Sequence, residues 1–187
     1  MKLIAAVAVA LVLMTRTTLV GADPATIDPR ALILLRVLAY DRNLAARSGD
    51  EVVIAVVESA DDRGKACATP MVDALAVAAR KIVVGQRPIR GVRVRREPGV
   101  PLRIRLAEMH AAAVYVCVGA GEVAAVARET RAAGALSFTG AEAGGDLAIG
   151  MVRGADKVQL WVNLEAARAE RADLSAALLR LAKVVKR

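Results

Sequence analysis

Side chains able to catalyse a reaction are few in this sequence and far apart. His110 is the only histidine, so a hydrolytic triad would need it together with a serine or cysteine and a carboxylate. The G-x-S-x-G turn that presents a nucleophile in many hydrolases is absent. A lone histidine at the end of a predicted helix, just before a strand, is typical of a surface or capping residue. We therefore predict no catalytic residue and no enzyme activity.

The acidic and sulfur-containing side chains do not form a metal-site pattern. Asp61 and Asp62 are typical of a solvated loop, and two cysteines are too few for a four-cysteine zinc site. Cys67 and Cys117 allow one pairing, and a disulfide across that span would stabilise the fold by roughly 4 kcal/mol. Cys117 lies in an apolar strand, however, where a free buried thiol is equally natural. The sequence thus predicts no metal and leaves the disulfide open.

A glycine-rich segment, residues 119–124 (GAGEVA), follows a predicted strand and begins a helix. It matches the G-x-G-x-x-G/A spacing with which dinucleotide-binding loops let a pyrophosphate approach a helix N-terminus. That fingerprint normally follows the first strand of the fold, whereas this segment follows a later one. Residues 1–22 also have the layout of an export signal, and an exported protein rarely has access to NAD. We interpret the segment as a tight turn that needs positive φ, and we predict no cofactor.

Residues 80–105 carry most of the unbalanced positive charge. They hold a single acidic residue, Glu97, and nine basic ones: Arg80, Lys81, Arg87, Arg90, Arg93, Arg95, Arg96, Arg103 and Arg105. Single-stranded nucleic acid would need aromatic side chains for stacking, and none of the four aromatic residues lies in this stretch. The pattern favours a solvated strand face or a surface for an acidic protein or anionic lipid. Arg93 and Arg95, on one face of a predicted strand, are candidate partner-binding residues.

The first 22 residues have the layout of a secretory signal peptide. Lys2 precedes an apolar run over residues 3–14, and small residues precede a cut after Ala22. Twelve helical residues span about 18 Å, less than the roughly 30 Å of a bilayer core. Alanine- and arginine-rich usage points to a bacterial source, so we predict cleavage and a periplasmic location, with an uncleaved anchor as the alternative. Loss of Lys2 and Arg16 lowers the formal charge from +8 to +6.

Strand and helix patterns alternate along the rest of the chain. Helices are predicted at residues 31–44, 70–82, 102–109, 121–133 and 165–185, and a polar loop at 59–69. Strands are predicted at residues 52–57, 90–96, 113–118, 135–139, 147–152 and 157–164. The continuous apolar strands indicate a sheet covered on both faces, and the last two indicate a hairpin. We predict one α/β domain over residues 23–187. Its three layers are a mostly parallel sheet, with an antiparallel C-terminal hairpin at the edge, and helices on both faces.

Residues 158–168 (VQLWVNLEAAR), followed by Leu174-Ser175 and residues 178–183 (LLRLAK), resemble the C-terminal signature of the YfiR family. In that signature a strand ends in Asn and is followed by Ala-Ala-Arg and a Ser-x-x-Leu-Leu-x-Leu-Ala helix. Residues 135–139 (ALSFT) are similar to the family's central strand before a Gly-rich turn. The resemblance extends over nearly all of the mature chain, and its C-terminal block is the specific part.

The resemblance implies a small periplasmic regulator without enzyme activity. A YfiR-like protein binds the periplasmic domain of an inner-membrane signalling protein, typically a diguanylate cyclase, and so controls cyclic-di-GMP. A homodimer is a further expectation. Asn163 and Arg168 belong to the family block and join the candidate partner surface, although a helix cap and an ion pair with Glu165 are structural alternatives. The alternative function is a periplasmic small-ligand-binding protein that uses the cleft after Val57 and Val118.

Overall fold

The computed structural model describes residues 28–97, 99–141, 145–154 and 157–185. The predicted signal segment, residues 1–22, lies outside this range. Among the described residues, no helix has both the length and the apolar composition needed to cross a bilayer.

A seven-stranded sheet in the order β2-β1-β3-β4-β5-β6-β7 organises the described chain. The helices are α1 (Pro29–Ala39), α2 (Leu44–Arg47), α3 (Asp62–Ala79), α4 (Leu102–Glu108), α5 (Ala120–Ala133), α6 (Leu164–Ala169) and α7 (Ala176–Leu179). The strands are β1 (Val52–Glu58), β2 (Ile89–Arg95), β3 (Ala111–Cys117), β4 (Leu136–Thr139), β5 (Ile149–Arg153), β6 (Val158–Asn163) and β7 (Lys183–Val185).

The parallel strands β1 and β3 form the centre of the molecule, because all seven residues of each are buried. Their β-branched and small side chains fill two apolar clusters, one on each face of the sheet. Side chains of α1 and α3 pack in one cluster, and those of α4 and α5 pack in the other. The predicted three-layer arrangement with helices on both faces is therefore confirmed.

The predicted antiparallel hairpin is also confirmed. β5 and β6 pair antiparallel, from Ile149 opposite Val162 to Arg153 opposite Val158. Beyond the hairpin, β7 pairs parallel with β6 and forms the outer edge of the sheet, so the hairpin lies one strand inside the edge. The Lys183 ammonium lies 3.7 Å from the ring centroid of Trp161, a cation–π contact that favours this extra pairing.

The prediction of one long C-terminal helix over residues 165–185 is wrong. The helix α6 ends at Ala169, Arg171 adopts the left-handed conformation with φ 61°, and the short helix α7 and strand β7 follow. Within this segment, Leu178 is buried whereas Leu181 is 73% exposed, so the two leucines do not form one buried helix face. Hydrogen bonds from this segment to distant elements replace the bonds of a continuous helix, since tertiary contacts outweigh helix propensity.

Glu170 makes one such set of contacts, because its buried carboxyl group joins the C-terminal segment to α5 and β4. Oε1 lies 2.6 Å from Thr130 Oγ1, and Oε2 accepts hydrogen bonds from the Ser137 N–H at 2.8 Å and hydroxyl at 3.0 Å. The Thr130 hydroxyl also reaches the Ala127 carbonyl at 3.0 Å. The hydrogen bonds from Thr130 and Ser137 lower the pKa of Glu170, but desolvation by burial outweighs them. Burial raises the pKa of Glu170 to about 7.

Asp41 makes the second set of contacts and also shortens the first predicted helix, residues 31–44. α1 ends at Ala39, and the fully buried Asp41 side chain accepts a hydrogen bond from the Asp173 N–H at 2.9 Å. Arg47, itself 5% exposed, forms an ion pair with Asp41 and donates to the backbone carbonyl of Ala112. This buried pair therefore ties the end of α1 to the C-terminal segment and to the start of β3.

The polar loop predicted over residues 59–69 is helical from Asp62 onward, so that prediction is also wrong. The side chain of Asp61 accepts a hydrogen bond from the Gly64 N–H at 2.8 Å and caps the N-terminus of α3. Pro70, interpreted from sequence as the first residue of a helix, lies inside α3 on its exposed side. A Cβ at Gly64 would lie 2.6 Å from the Ser59 carbonyl oxygen, so this close approach requires glycine.

The cysteines left open by the sequence form a disulfide in the structure. It joins Cys67 of α3 to Cys117 at the end of β3, with a Cα–Cα distance of 5.6 Å. Because α3 begins before Cys67, that residue lies on a helix packed against the sheet, and its sulfur is held beside the strand. The bond closes a sequence separation of 50 residues.

The Glu170 carboxyl group makes the stability of the protein depend on pH. Its pKa is 4.5 unfolded and about 7 folded, so its contribution to the free energy of unfolding is fully present below pH 4.5. That contribution falls as pH rises to about 7, by about 3 kcal/mol. In Glu170→Gln the amide donates to Thr130 and accepts from Ser137, so this slope disappears. Urea unfolding over a pH series checks the prediction, with Glu165→Gln on the exposed side of α6 as control; parallel curves for wild type and Glu170→Gln would contradict it.

The disulfide supplies a second test of the fold. Replacing both Cys67 and Cys117 with serine removes the constraint on the unfolded chain, and the free energy of unfolding decreases by roughly 4 kcal/mol. Denaturant unfolding of the double variant, compared with the oxidised and the reduced wild-type protein, measures this loss. An oxidised wild-type protein no more stable than its reduced form would show that the bond does not constrain the chain.

Candidate functional site

The four predicted partner-binding residues lie in two separate regions. Arg93 and Arg95 belong to β2 at one edge of the sheet, whereas Asn163 ends β6 and Arg168 lies on α6. Five inter-strand steps separate β2 from β6, which corresponds to about 24 Å. The structure therefore does not bring the four residues together into one surface.

Asn163 is a structural residue at the start of α6. It is 2% exposed, and its Oδ1 accepts hydrogen bonds from the N–H groups of Glu165 and Ala166 at 3.1 and 3.2 Å. Its amide nitrogen donates to the Gly145 carbonyl at 2.7 Å, so the predicted helix cap is present. Arg168 is exposed, and within the described chain no ion pair joins it to Glu165.

Arg93 and Arg95 surround a buried carboxylate, that of Glu58. The Nε atoms of both arginines lie 3.7 Å from Glu58 oxygens, and the Glu58 side chain is 1% exposed while the arginines are 41% and 53% exposed. Arg93 also donates a hydrogen bond of 2.7 Å to the hydroxyl of Thr69 on α3. We call Glu58, Thr69, Arg93 and Arg95 the cationic edge cluster. Two guanidinium groups share one carboxylate there, which leaves a net positive charge.

The strand register builds this cluster. Glu58 lies opposite Arg95, and Val56 opposite Arg93, and side chains two residues apart on a strand share a face. Cys117 lies opposite Glu58 on the other side, so the disulfide holds α3 against the same face. Sequence analysis missed Glu58, although an acidic residue ending a continuous apolar strand was a usable signal.

The other paired arginines of the basic segment each have their own carboxylate. Six of its nine basic residues form ion pairs in the structure, and four of these pairs lie outside the cationic edge cluster: Arg90–Glu51, Arg96–Glu122, Arg103–Glu129 and Arg105–Glu97. These four arginines are therefore each balanced by a carboxylate of their own, whereas Arg93 and Arg95 share Glu58. In the described part of the segment, no ion pair is formed by Arg80, Lys81 or Arg87.

A crevice of about 640 Å³ lies at the carboxyl ends of β1 and β2, on the side of α4 and α5. Ser59 follows β1, Arg96 follows β2, and Glu122 comes from the first turn of α5 after β3. In the sheet order, β2 lies on one side of β1 and β3 on the other, so this is the switch point at which ligands bind in many α/β proteins. The crevice is where the sequence placed the alternative small-ligand site.

Other residues singled out by sequence have local structural roles. His110 is exposed and adopts φ 49° directly after α4, as a capping residue does. The interpretation of residues 119–124 as a turn with positive φ is wrong, because Gly119 has φ −63° as the N-cap of α5 and Gly121 lies within that helix. Over the described ranges, no group of three His, Cys, Asp or Glu side chains is arranged to hold a metal ion.

The shared carboxylate of the cationic edge cluster predicts that substitutions of Arg93 and Arg95 have non-additive effects on the free energy of unfolding. Arg93→Ala or Arg95→Ala alone leaves one guanidinium beside Glu58 and costs less than about 1 kcal/mol. The double variant leaves a buried carboxylate without a cation and costs about 2 to 3 kcal/mol, more than the sum of the single effects.

Denaturant unfolding of the two single variants and the double variant measures this coupling. Adding Glu58→Gln to the double variant recovers most of the lost stability, because no buried charge then remains. Arg90→Ala, which breaks an exposed pair on the same strand, is the control. Strictly additive costs, or no recovery with Glu58→Gln, would contradict the cluster as described.

Comparison with known proteins assigns the chain to a family. A family model described as YfiR/HmsC-like matches residues 28–183, from the residue that caps α1 to the first residue of β7. A search of curated proteins finds no match. The family match confirms the resemblance that residues 158–168 carry, and it extends to the strands of the cationic edge cluster. Since it covers well over half of the sequence, the chain belongs to the YfiR/HmsC-like family.

Proposed function

We propose that this protein is exported to the periplasm, where it binds the periplasmic domain of an inner-membrane signalling protein, a diguanylate cyclase, and regulates its activity. Membership of the YfiR/HmsC-like family carries the proposal, because that family consists of regulators rather than enzymes. The signal-like layout of residues 1–22 supports export.

The cationic edge cluster is the surface that we propose for the partner. Arg93 and Arg95 are both about half exposed and share a single buried carboxylate, so they attract an acidic surface and retain their contacts within the fold. We do not assign a partner contact to Asn163, whose polar atoms already cap α6. The role of Arg168 stays a prediction.

Regulation by such a protein follows from differential affinity. A sensor domain that exchanges between an inactive and an active state is shifted toward whichever state the regulator binds more tightly. To invert a population from 1:99 to 99:1, the regulator must prefer one state by about 10⁴-fold. A regulator of this kind needs a surface that is complementary to one state of the partner, and it needs no catalytic group.

Small-ligand binding is the second candidate function, favoured by the crevice at the carboxyl ends of β1 and β2. Its two arginines are each paired with a carboxylate of the crevice, Arg96 with Glu122 and Arg103 with Glu129. A ligand would therefore have to displace or bridge these pairs. This cost places the crevice behind the cationic edge cluster, whose arginines have unmatched charge.

In-cell crosslinking tests the proposed function. Crosslinking of the full chain in its native host is expected to capture an inner-membrane protein with a cytoplasmic diguanylate cyclase domain, and deletion of the gene is expected to change cellular cyclic-di-GMP. Arg93→Gln combined with Arg95→Gln reduces capture, because the acidic surface of the partner loses both guanidinium groups. Arg180→Gln, an exposed arginine on the C-terminal segment, is the matched control and leaves capture unchanged.

Two results together would overturn the proposal: no membrane signalling protein among the captured species, and unchanged cyclic-di-GMP after deletion. If a metabolite panel then raises the melting temperature of the purified protein, and Arg96→Gln or Arg103→Gln abolishes that shift, the small-ligand function takes its place.

A further inference from the structure

The outer edge of β2 presents backbone hydrogen-bonding groups that are not paired with another strand of the described chain. β2 is the first strand in the sheet order, and in the part of the chain that the structure describes no strand pairs with its outer side. Another strand can pair with an unpaired edge of this length. Proteins therefore either use such an edge as a binding site or protect it against pairing.

Two hydrogen bonds fix which backbone groups of β2 face outward. The Pro88 carbonyl accepts from the Val52 N–H at 2.8 Å, and the Arg96 N–H donates to the Glu58 carbonyl at 3.0 Å. The backbone hydrogen-bonding groups of Pro88 and Arg96, both even-numbered residues, thus point toward β1. Because hydrogen-bonding direction alternates along a strand, the N–H and C=O groups of residues 89, 91, 93 and 95 point away from it. The Arg105 guanidinium donates to the Arg95 carbonyl at 2.8 Å, which places that carbonyl on the outer side.

The positive charge on this edge favours pairing with an acidic segment over pairing with a second copy of β2. Arg93 and Arg95 project from the face that α3 covers and have Glu58 as their shared carboxylate. A second copy of β2 would bring arginines against arginines, which is unfavourable in cross-strand positions. A segment with carboxylates two residues apart would instead meet both guanidinium groups, because side chains at that spacing lie about 7 Å apart on one face.

The opposite face of β2 determines which residues of the added segment are favourable between those carboxylates. Val92 projects there, is only partly buried and packs against the apolar cluster of α4 and α5. An aliphatic side chain on the added strand would cover Val92 and extend that cluster. The edge therefore matches a segment in which acidic and aliphatic residues alternate.

We propose that β2 accepts an extended segment of the partner protein as an eighth strand, with acidic residues at alternate positions against Arg93 and Arg95 and aliphatic residues between them. The proposal deepens the proposed function and rests on it for the existence of a partner. The main-chain hydrogen bonds supply affinity, and the arginine pair supplies selectivity for acidic sequences.

A synthetic peptide in which Glu alternates with Val is the probe, and binding to the full mature protein is measured by fluorescence anisotropy. We expect the peptide to bind, and we expect this binding to weaken with added salt. Binding should be lost when Lys replaces each Glu. Arg93→Gln combined with Arg95→Gln lowers the affinity about tenfold, as two cross-strand charge pairs should. Arg90→Gln, on the opposite face of the same strand and paired with Glu51, changes it less than about twofold.

Because the double variant leaves Glu58 without its cations, the single variant Arg95→Gln is measured as well, since it retains Arg93 beside Glu58. Circular dichroism confirms that each variant is folded at the assay temperature. An affinity unchanged in folded Arg95→Gln and in the folded double variant would overturn the arginine contact.

Backbone pairing is tested with two N-methylated versions of the same peptide, one methylated on every Val amide and the other on every Glu amide. Alternate amides face opposite edges of a strand, so one version loses binding and the other retains it. Which version binds tells whether the added strand is antiparallel or parallel to β2. Equal behaviour of the two versions would overturn strand addition.

Vesicles of phosphatidylglycerol distinguish a lipid surface from a protein segment. Binding to vesicles without binding to the Glu/Val peptide would overturn the inference. The in-cell capture experiment distinguishes a failure of the strand-addition proposal from a failure of the proposed function. Capture of a membrane signalling protein together with no peptide binding removes only strand addition at β2. Peptide binding without such a capture removes only the proposed function.

Discussion

Complete burial of β1 and β3 is the constraint on which the rest of this structure depends. Both strands lack a face that water can reach, so helices must cover the sheet on both sides and every connection between parallel strands must cross over it. Charged side chains cannot be accommodated along these strands. Within the sheet, charged side chains lie at the ends of strands and along the outer strand β2, and this is where the cationic edge cluster lies.

Three buried acidic residues show three different ways of meeting the cost of burial. Asp41 has a buried guanidinium partner in Arg47. Among the described residues, Glu170 has no cation within hydrogen-bonding distance, and burial raises its pKa to about 7 although hydrogen bonds from Thr130 and Ser137 lower it. Glu58 is paired with two arginines that are half exposed. The first two residues connect distant parts of the chain. The third brings cationic groups to a solvent-facing edge, and only there does a structural charge pair also form a surface suited to recognition.

The open edge of β2 and its arginines are features that suit the proposed regulatory function. An enzyme needs reactive groups that converge on a substrate, whereas a regulator needs a surface whose backbone and charges complement one state of its partner. Arginines on an edge strand have two effects at once. They disfavour pairing with a second copy of the same strand, and we propose that they attract an acidic one. The family match over residues 28–183 is consistent with this division of roles.

Elements whose pattern is local could be predicted from the order of the amino acids. Continuous apolar runs predicted β1 and β3, the alternation of residues 90–96 predicted β2, and a helix cap was one of the two roles predicted for Asn163. Tertiary structure decided what depends on distant partners. The C-terminal segment is not one long helix because Glu170, Asp173 and Lys183 each find a partner on another element. Likewise, the sequence showed that Arg93 and Arg95 share a face, but the buried Glu58 between them became visible only through the pairing of β1 with β2. Periodicity is encoded within a few neighbouring residues, whereas the partner of a buried charge is set by the register between strands that are distant in sequence.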